Sequence, residues 1–224
     1  MPILSRRLSS CTLSVLLAVG GLSACSTTRP ADGEFLQAAV SGGDAMAIYD
    51  ALEARIAAGI DTPRDRKAAF RALRDRNEDT AGFQFAWAAV GGRLVQQKGL
   101  LGIELVSQVE RHARRSRELD PDFRGGVATR LLGTLYVVAP GKLLEHGNSE
   151  LGLELLEELV EKHPDVPENH LRVAEAYIAL GDPEPAGDHL CFCIARKSDI
   201  RPDEQKLLEN LIADAGPFTC PPAK

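Results

Sequence analysis

The feature that most constrains the fold of this chain is a spacing of small residues that recurs through its second half. Gly133 and Ala174 both lie in apolar stretches and are 41 positions apart. The turn residues Gly147 and Gly181 are only 34 positions apart. A 34-residue unit that contains one seven-residue insertion accounts for both spacings, so the sequence predicts a helical repeat.

These stretches resemble the tetratricopeptide repeat, a 34-residue helix pair with Leu-Gly, a Tyr three residues later and further small residues. In such a pair, small residues let the two helices approach closely, and the tyrosines fill the space between pairs. The predicted repeat-packing residues are Gly133, Tyr136, Gly152, Ala174, Tyr177 and Ala186.

Helical periodicity covers the chain from Glu34 onward. Apolar residues recur three and four positions apart, Gly, Asp or Pro separates the periodic stretches, and no stretch has a convincing strand pattern. The sequence therefore predicts an all-α, tetratricopeptide-like array of about four degenerate helix pairs with a C-terminal capping helix, over residues 34–215, followed by a tail at 216–224. The predicted helices span 34–41, 44–58, 63–76, 80–98, 101–118, 125–138, 149–163, 167–180, 184–197 and 203–214.

The first 24 residues have the layout of a signal peptide, with two arginines before an apolar stretch. The run Leu22-Ser23-Ala24-Cys25 resembles the lipobox of bacterial lipoproteins. The resemblance implies cleavage before Cys25 and attachment of diacylglycerol and a further acyl chain to it, which would hold the protein on a membrane. Residues 25–33 then form a polar tether.

Ser26, rather than Asp, follows the lipidated cysteine. By resemblance to Gram-negative lipoproteins, this residue implies sorting to the periplasmic face of the outer membrane.

The charge of the chain argues against nucleic-acid binding. It has 32 Asp and Glu against 26 Lys and Arg, and only 5% of its residues are aromatic. Phosphate backbones would repel such a surface, and few aromatic side chains are available for base stacking.

Three cysteines remain after the signal peptide and the anchor. In an oxidising periplasm, the expected state is a disulfide from Cys220 to either Cys191 or Cys193. Cys193 falls at a position that the repeat fills with a small buried residue, which favours Cys191. A metal site is not expected, because His189 and Cys193 share one helix face while Cys191 points away from it.

No catalytic constellation is evident, and neither an enzymatic activity nor a cofactor is expected. The five histidines fall in different helices or loops. His163 is expected to cap a helix C-terminus, and His112, in the run Arg111-His112-Ala113-Arg114-Arg115, is expected to lie on a solvated basic face.

A tetratricopeptide array usually binds its partners with the concave surface formed by the first helix of each pair. The register predicts an apolar groove with charged edges, suited to an apolar small ligand or an amphipathic peptide. The alternative is that the same residues form plain core. The predicted groove residues are Arg130, Thr134, Val137, Glu168, Leu171, Glu175 and Ile178.

Residues 80–197 resemble the T-component lipoproteins associated with TRAP transporters, the TatT-like family. The resemblance rests on the stretch 125–147, with its extended loop inside a repeat, and on the stretch 167–177. It implies a bundle of degenerate repeats, a homotrimer, and a periplasmic solute-binding protein as partner, with an apolar ligand passed between them. The cysteine-rich segment and the Cys220 tail depart from the family.

The sequence thus leads us to expect a lipid-anchored, non-enzymatic transporter accessory that binds a solute-binding protein or an apolar ligand. The alternative is an adaptor that binds a peptide or protein during assembly of the outer membrane.

Overall fold

Helices follow one another in pairs through residues 34–221, the part of the chain that the computed structural model describes. The predicted signal peptide at 1–24, the Cys25 anchor and the tether at 25–33 lie outside this part, as do residues 222–224. The described residues contain no strand, and the predicted all-α helical repeat array is confirmed. The helices are α1 (Gln37–Ser41), α2 (Ala45–Ala57), α3 (Pro63–Arg74), α4 (Ala81–Lys98), α5 (Val106–Leu119), α6 (Val127–Val138), α7 (Ser149–Lys162), α8 (Pro167–Ala179), α9 (Ala186–Ala195) and α10 (Pro202–Asp214).

The helices pair in chain order as α2–α3, α4–α5, α6–α7 and α8–α9, and α10 caps the last pair. In addition, α6 packs on α8, and α10 contacts both α8 and α2. Because α10 reaches back to α2, the first long helix and the last helix meet across the concave face of the array. A salt bridge of 2.7 Å between Arg201 Nη1 and Glu53 Oε2 joins these two ends.

The α6–α7 pair is held together by glycine contacts. A Cβ atom on Gly133 would lie 2.6 Å from Leu156 Cγ and 2.9 Å from the carbonyl oxygen of Gly152. A Cβ on Gly152 would lie 2.8 Å from the Gly133 carbonyl. In the α8–α9 pair the corresponding residues, Ala174 and Ala186, are fully buried. All four small residues therefore lie where the repeat register predicts close packing.

The seven-residue insertion between α6 and α7 is tied down by one buried carboxylate, Glu110 of α5. Its Oε2 accepts a hydrogen bond of 2.7 Å from the backbone N–H of Glu145, and its Oε1 accepts one of 2.9 Å from that of His146. The Tyr136 hydroxyl donates to Oε1 at 3.1 Å. Glu110 is only 1% exposed, so these three donors replace the water that its charge would otherwise need.

Four predicted helix starts were wrong by two residues or more. The α-helix expected from residue 34 begins at Gln37, after a 3₁₀ turn, and the one expected from residue 184 begins at Ala186. Glycines account for the other two. The helix expected from residue 101 begins at Val106, because Gly99 has a φ of +55° and Gly99–Leu105 forms 3₁₀ turns. The helix expected from residue 125 begins at Val127, because Gly125 and Gly126 have φ values of +70° and +76°. Such φ values are incompatible with an α-helix.

Candidate functional site

A cavity of about 640 Å³ lies on the concave face of the array. Its walls come from α2, α4, α5, α6, α8 and α10, together with the segment that follows α6. Four of the seven predicted groove residues line it: Arg130 and Thr134 on α6, and Glu168 and Glu175 on α8. The concave face thus carries a cavity within the described part of the chain, and the repeat register correctly predicted four of the residues that line it.

The other three predicted groove residues, Val137, Leu171 and Ile178, do not line the cavity. Leu171 is fully buried in the core between α8, α9 and α10, and Ile178 packs against the same core. Val137 packs against the core between α6, α7 and α8. Val137 and Ile178 each lie ten residues after the first lining residue of their helix, which is about 80° around the helix axis from it. For these three, the alternative of plain core is correct.

One side of the cavity is apolar. Its residues belong to α4, α5 and α6 and to the segments after α4 and α6, although Arg93 of α4 and Arg130 of α6 also line the cavity. The apolar lining residues are Phe85, Ala89, Val95, Ile103, Val106, Val109, Val127, Leu131, Leu135, Val138, Ala139, Pro140 and Leu143.

The other side carries charged residues that are largely paired with one another. Glu53 receives salt bridges of 2.7 Å from both Arg93 and Arg201. Burial alone would raise the pKa of Glu53, but the hydrogen bonds and charges of the two arginines outweigh burial, and the pKa is lowered. Arg172 on α8 is similarly bound by Glu175 at 2.8 Å and by Glu204 of α10 at 2.7 Å.

Arg130 is the exception among the four lining arginines. Its Nη1 donates a hydrogen bond of 2.9 Å to Asn169 Oδ1, and it forms no ion pair with any carboxylate of residues 34–221. Burial lowers the pKa of Arg130, and the nearby charges of Glu204 and Glu168 only partly offset this. The guanidinium nevertheless stays charged, because arginine is not deprotonated in proteins.

Tyr49 of α2 adds a further polar group to the lining of the cavity. Its ring packs edge-on against Phe85 with centroids 5.1 Å apart, and within residues 34–221 its hydroxyl has no hydrogen-bond partner. Burial and the charge of Glu53 raise its pKa to about 12, so the phenol keeps its proton at neutral pH.

Sequence reasoning missed most of the charged wall. Glu53, Arg93 and Arg201 come from three distant helices, and only the folded array brings them together. Arg172 carried a usable signal, because it lies one turn after Glu168 on the helix already assigned to the groove.

A pair of histidines lies outside the cavity, between α8 and α9. The Nδ1 atoms of His170 and His189 are 3.0 Å apart, and His170 Nε2 donates to the carbonyl of Pro164 at 2.8 Å. His170 also stacks on Phe192 with ring centroids 3.8 Å apart. Burial lowers the pKa of both histidines, which therefore are neutral and share one hydrogen bond.

His163 and His112 have structural roles. His163 is the C-cap residue of α7, as expected. His112 is not on a solvated face: its ring stacks on Trp87 at 3.9 Å, and its Nδ1 donates to Gln84 Oε1 at 2.6 Å. Burial and the charge of Arg111 lower its pKa to about 4.

The three cysteines within residues 34–221 form one disulfide and one buried thiol. Cys191 is bonded to Cys220, and the Cys193 thiol donates to the Pro167 carbonyl at 3.4 Å. Burial raises the pKa of Cys193 to about 12, which makes it unreactive. Among residues 34–221, no three His, Cys, Asp or Glu side chains are grouped so that they could hold a metal ion.

The fold and the cavity together describe a helical-repeat protein with a concave, partly apolar cavity. No protein-family model matches the chain, and no curated protein is similar to it. None of the helices within residues 34–221 is long and apolar enough to span a membrane.

Proposed function

We propose that this protein is a lipid-anchored periplasmic accessory of a transport system, and that it binds a small, largely apolar ligand in the cavity of its concave face. The observation that carries the proposal is the cavity itself. Its volume of about 640 Å³ falls within the range of small-molecule sites, and its lining is rich in apolar side chains. The resemblance to TRAP-associated lipoproteins supports a transport role, with a solute-binding protein as partner and a homotrimer as the assembly.

The anchor and the location follow from the lipobox resemblance around Cys25. Metabolic labelling with a clickable palmitate analogue tests them. The wild-type protein should be labelled and recovered with outer membranes, whereas Cys25→Ser should be unlabelled. Label that persists in Cys25→Ser would contradict the proposed anchor.

Ligand binding is tested by closing the cavity. Gly92 lies within α4, lines the cavity, and has open space where a Cβ would be. Gly92→Trp should therefore fill the cavity while leaving the helix intact. A matched control is Ala54→Trp, because Ala54 lies on an exposed position of α2.

The probe is N-phenyl-1-naphthylamine, a neutral apolar dye that fluoresces when it is bound. We expect the Cys25→Ser protein and its Ala54→Trp derivative to bind the dye, and the Gly92→Trp derivative to lose binding at least tenfold. Equal binding by all three proteins would refute the cavity as the ligand site. Binding of unfolded peptides with no binding of the dye would support the adaptor function instead.

A further inference from the structure

Arg130 occupies a position that its own helix does not favour. It lies in the first turn of α6, where the helix dipole disfavours a cation. Its counterpart 41 residues later in the next repeat is Leu171, a fully buried core residue. Neither the helix nor the repeat therefore accounts for a guanidinium at this place.

Arg130 is also the lining arginine that takes part in none of the salt bridges of the described cavity. Four arginines and four glutamates line the described cavity, and three of each are joined in salt bridges. Arg130 and Glu168 remain. Glu168 is in the first turn of α8, where the helix dipole stabilises a carboxylate without a partner. Arg130 lacks this stabilisation, and the nearby charges of Glu204 and Glu168 compensate its burial only in part.

We propose that the cavity takes an amphipathic monoanion, an apolar chain that bears one carboxylate, with Arg130 as the residue that binds the carboxylate. This inference rests on the proposed function of the cavity and specifies the chemical class of its ligand. The hydroxyl of Tyr49 is a second donor on the same wall, and the apolar side built from α4, α5 and α6 receives the chain.

A carboxylate fits better than a phosphate monoester. Arg130 is the one lining arginine of the described cavity without a salt bridge, so one negative charge can pair with it, whereas the second charge of a phosphate would be repelled by the nearby Glu168. Guanidinium and carboxylate also match in planar geometry, and hydrogen bonds between charged groups are stronger than neutral ones.

The test compares four probes with the same twelve-carbon chain: dodecanoate, 1-dodecanol, dodecyl phosphate and dodecylamine. Each competes with N-phenyl-1-naphthylamine for the Cys25→Ser protein. Dodecanoate should bind about ten- to hundredfold more tightly than 1-dodecanol, and more tightly than the phosphate or the amine.

Arg130→Leu installs the residue of the next repeat and should remove the preference for dodecanoate, while 1-dodecanol binds within threefold of its original affinity. Retained binding of 1-dodecanol also reports that the variant is folded. Arg130→Lys should keep part of the preference. The control is Arg74→Leu, because Arg74 is exposed and pairs only with its neighbour Asp75.

Equal binding of dodecanoate and 1-dodecanol by the Cys25→Ser protein would overturn the inference and leave the proposed function standing. So would an equal loss of both probes in Arg130→Leu, or tighter binding of the amine. Absence of binding by every probe and by the dye would instead count against the proposed function.

Discussion

The two C-terminal repeats, α6–α7 and α8–α9, share one register but present opposite chemistry to the same cavity. Val127 and Leu131 of α6 correspond to Glu168 and Arg172 of α8, 41 residues later, and all four line the cavity. The same backbone positions thus supply an apolar surface in one repeat and a charged surface in the next. The comparison shows that the repeat fixes which positions face inward and leaves their chemistry free.

The largest difference between the two repeats is expected at their packing residues, where substitutions should change the free energy of unfolding by different amounts. Gly133→Ala places a methyl group 2.6 Å from Leu156 and 2.9 Å from a backbone oxygen, so we expect a loss of about 3 kcal/mol in the free energy of unfolding. The reciprocal change, Ala174→Gly, should cost only about 1 kcal/mol. Urea unfolding measures both, and equal losses would show that α6 and α7 are not in close contact.

The disulfide distinguishes the second repeat from the first. Cys191 and Cys220 are 29 residues apart in sequence, and closing a loop of this size restricts the unfolded chain. Phe218 of the tail also packs against the core of α8–α10, so part of the attachment survives reduction. The double variant Cys191→Ser/Cys220→Ser should lose about 2 kcal/mol.

Thermal unfolding with and without a reductant provides the check. Reduced wild type should match the double variant, which itself should not respond to the reductant. If the wild type unfolds at the same temperature with and without the reductant, the disulfide does not stabilise the protein.

The insertion distinguishes the first repeat from the second. Glu110→Gln replaces one acceptor oxygen by an NH₂ group among three donors, so one backbone N–H of the inserted segment loses its acceptor. We expect a loss of about 1–2 kcal/mol. Hydrogen exchange should become faster at Glu145 and His146 but remain unchanged at Gly181, the turn of the second repeat. Uniform acceleration across both repeats would contradict a local role.

Much of this contrast could be predicted from the sequence. The spacings around Gly133 and Ala174 were sufficient to predict the helix pairs and the concave face. They were insufficient to predict the cavity. One of its walls depends on the return of α10 to α2, where Arg201 contacts Glu53, 148 residues away in sequence. No local pattern encodes such a pair.

The errors also have physical causes. Val137 and Ile178 follow the register along the chain but are rotated out of the cavity by the helical period. His112 was misplaced because its arginine neighbours indicate a surface, while its partner Trp87 comes from another helix.

Acid should affect the second repeat more than the first. The counterparts of His170 and His189 in the first repeat are Thr129 and Leu155, which do not titrate. The pKa values of both histidines are lowered in the folded state, so the unfolded chain binds more protons below about pH 6.5 and stability is lost as the pH falls. The charge of Arg196 adds to this at His170, whereas Asp165, Asp188 and Glu157 oppose it.

The double variant His170→Thr/His189→Leu copies the first repeat. Between pH 7.5 and pH 5 it should lose less stability than the wild type, because it lacks the two histidines whose pKa values are lowered by burial. Urea unfolding at the two pH values measures the difference, and His112 supplies the same acid-labile background in both proteins. Identical pH profiles would show that the pair is not neutral in the folded state.

We expect the chain of the ligand to lie along the apolar residues of α4, α5 and α6, and its carboxylate to bind Arg130. Crystals of the Cys25→Ser protein grown with 12-bromododecanoate test it most directly, because the bromine marks the end of the chain by its anomalous signal. The account predicts a bromine peak against the apolar side formed by α4 and α5, and the carboxylate within hydrogen-bond distance of Arg130. A bromine peak beside Glu168 and Arg172, or outside the cavity, would contradict it.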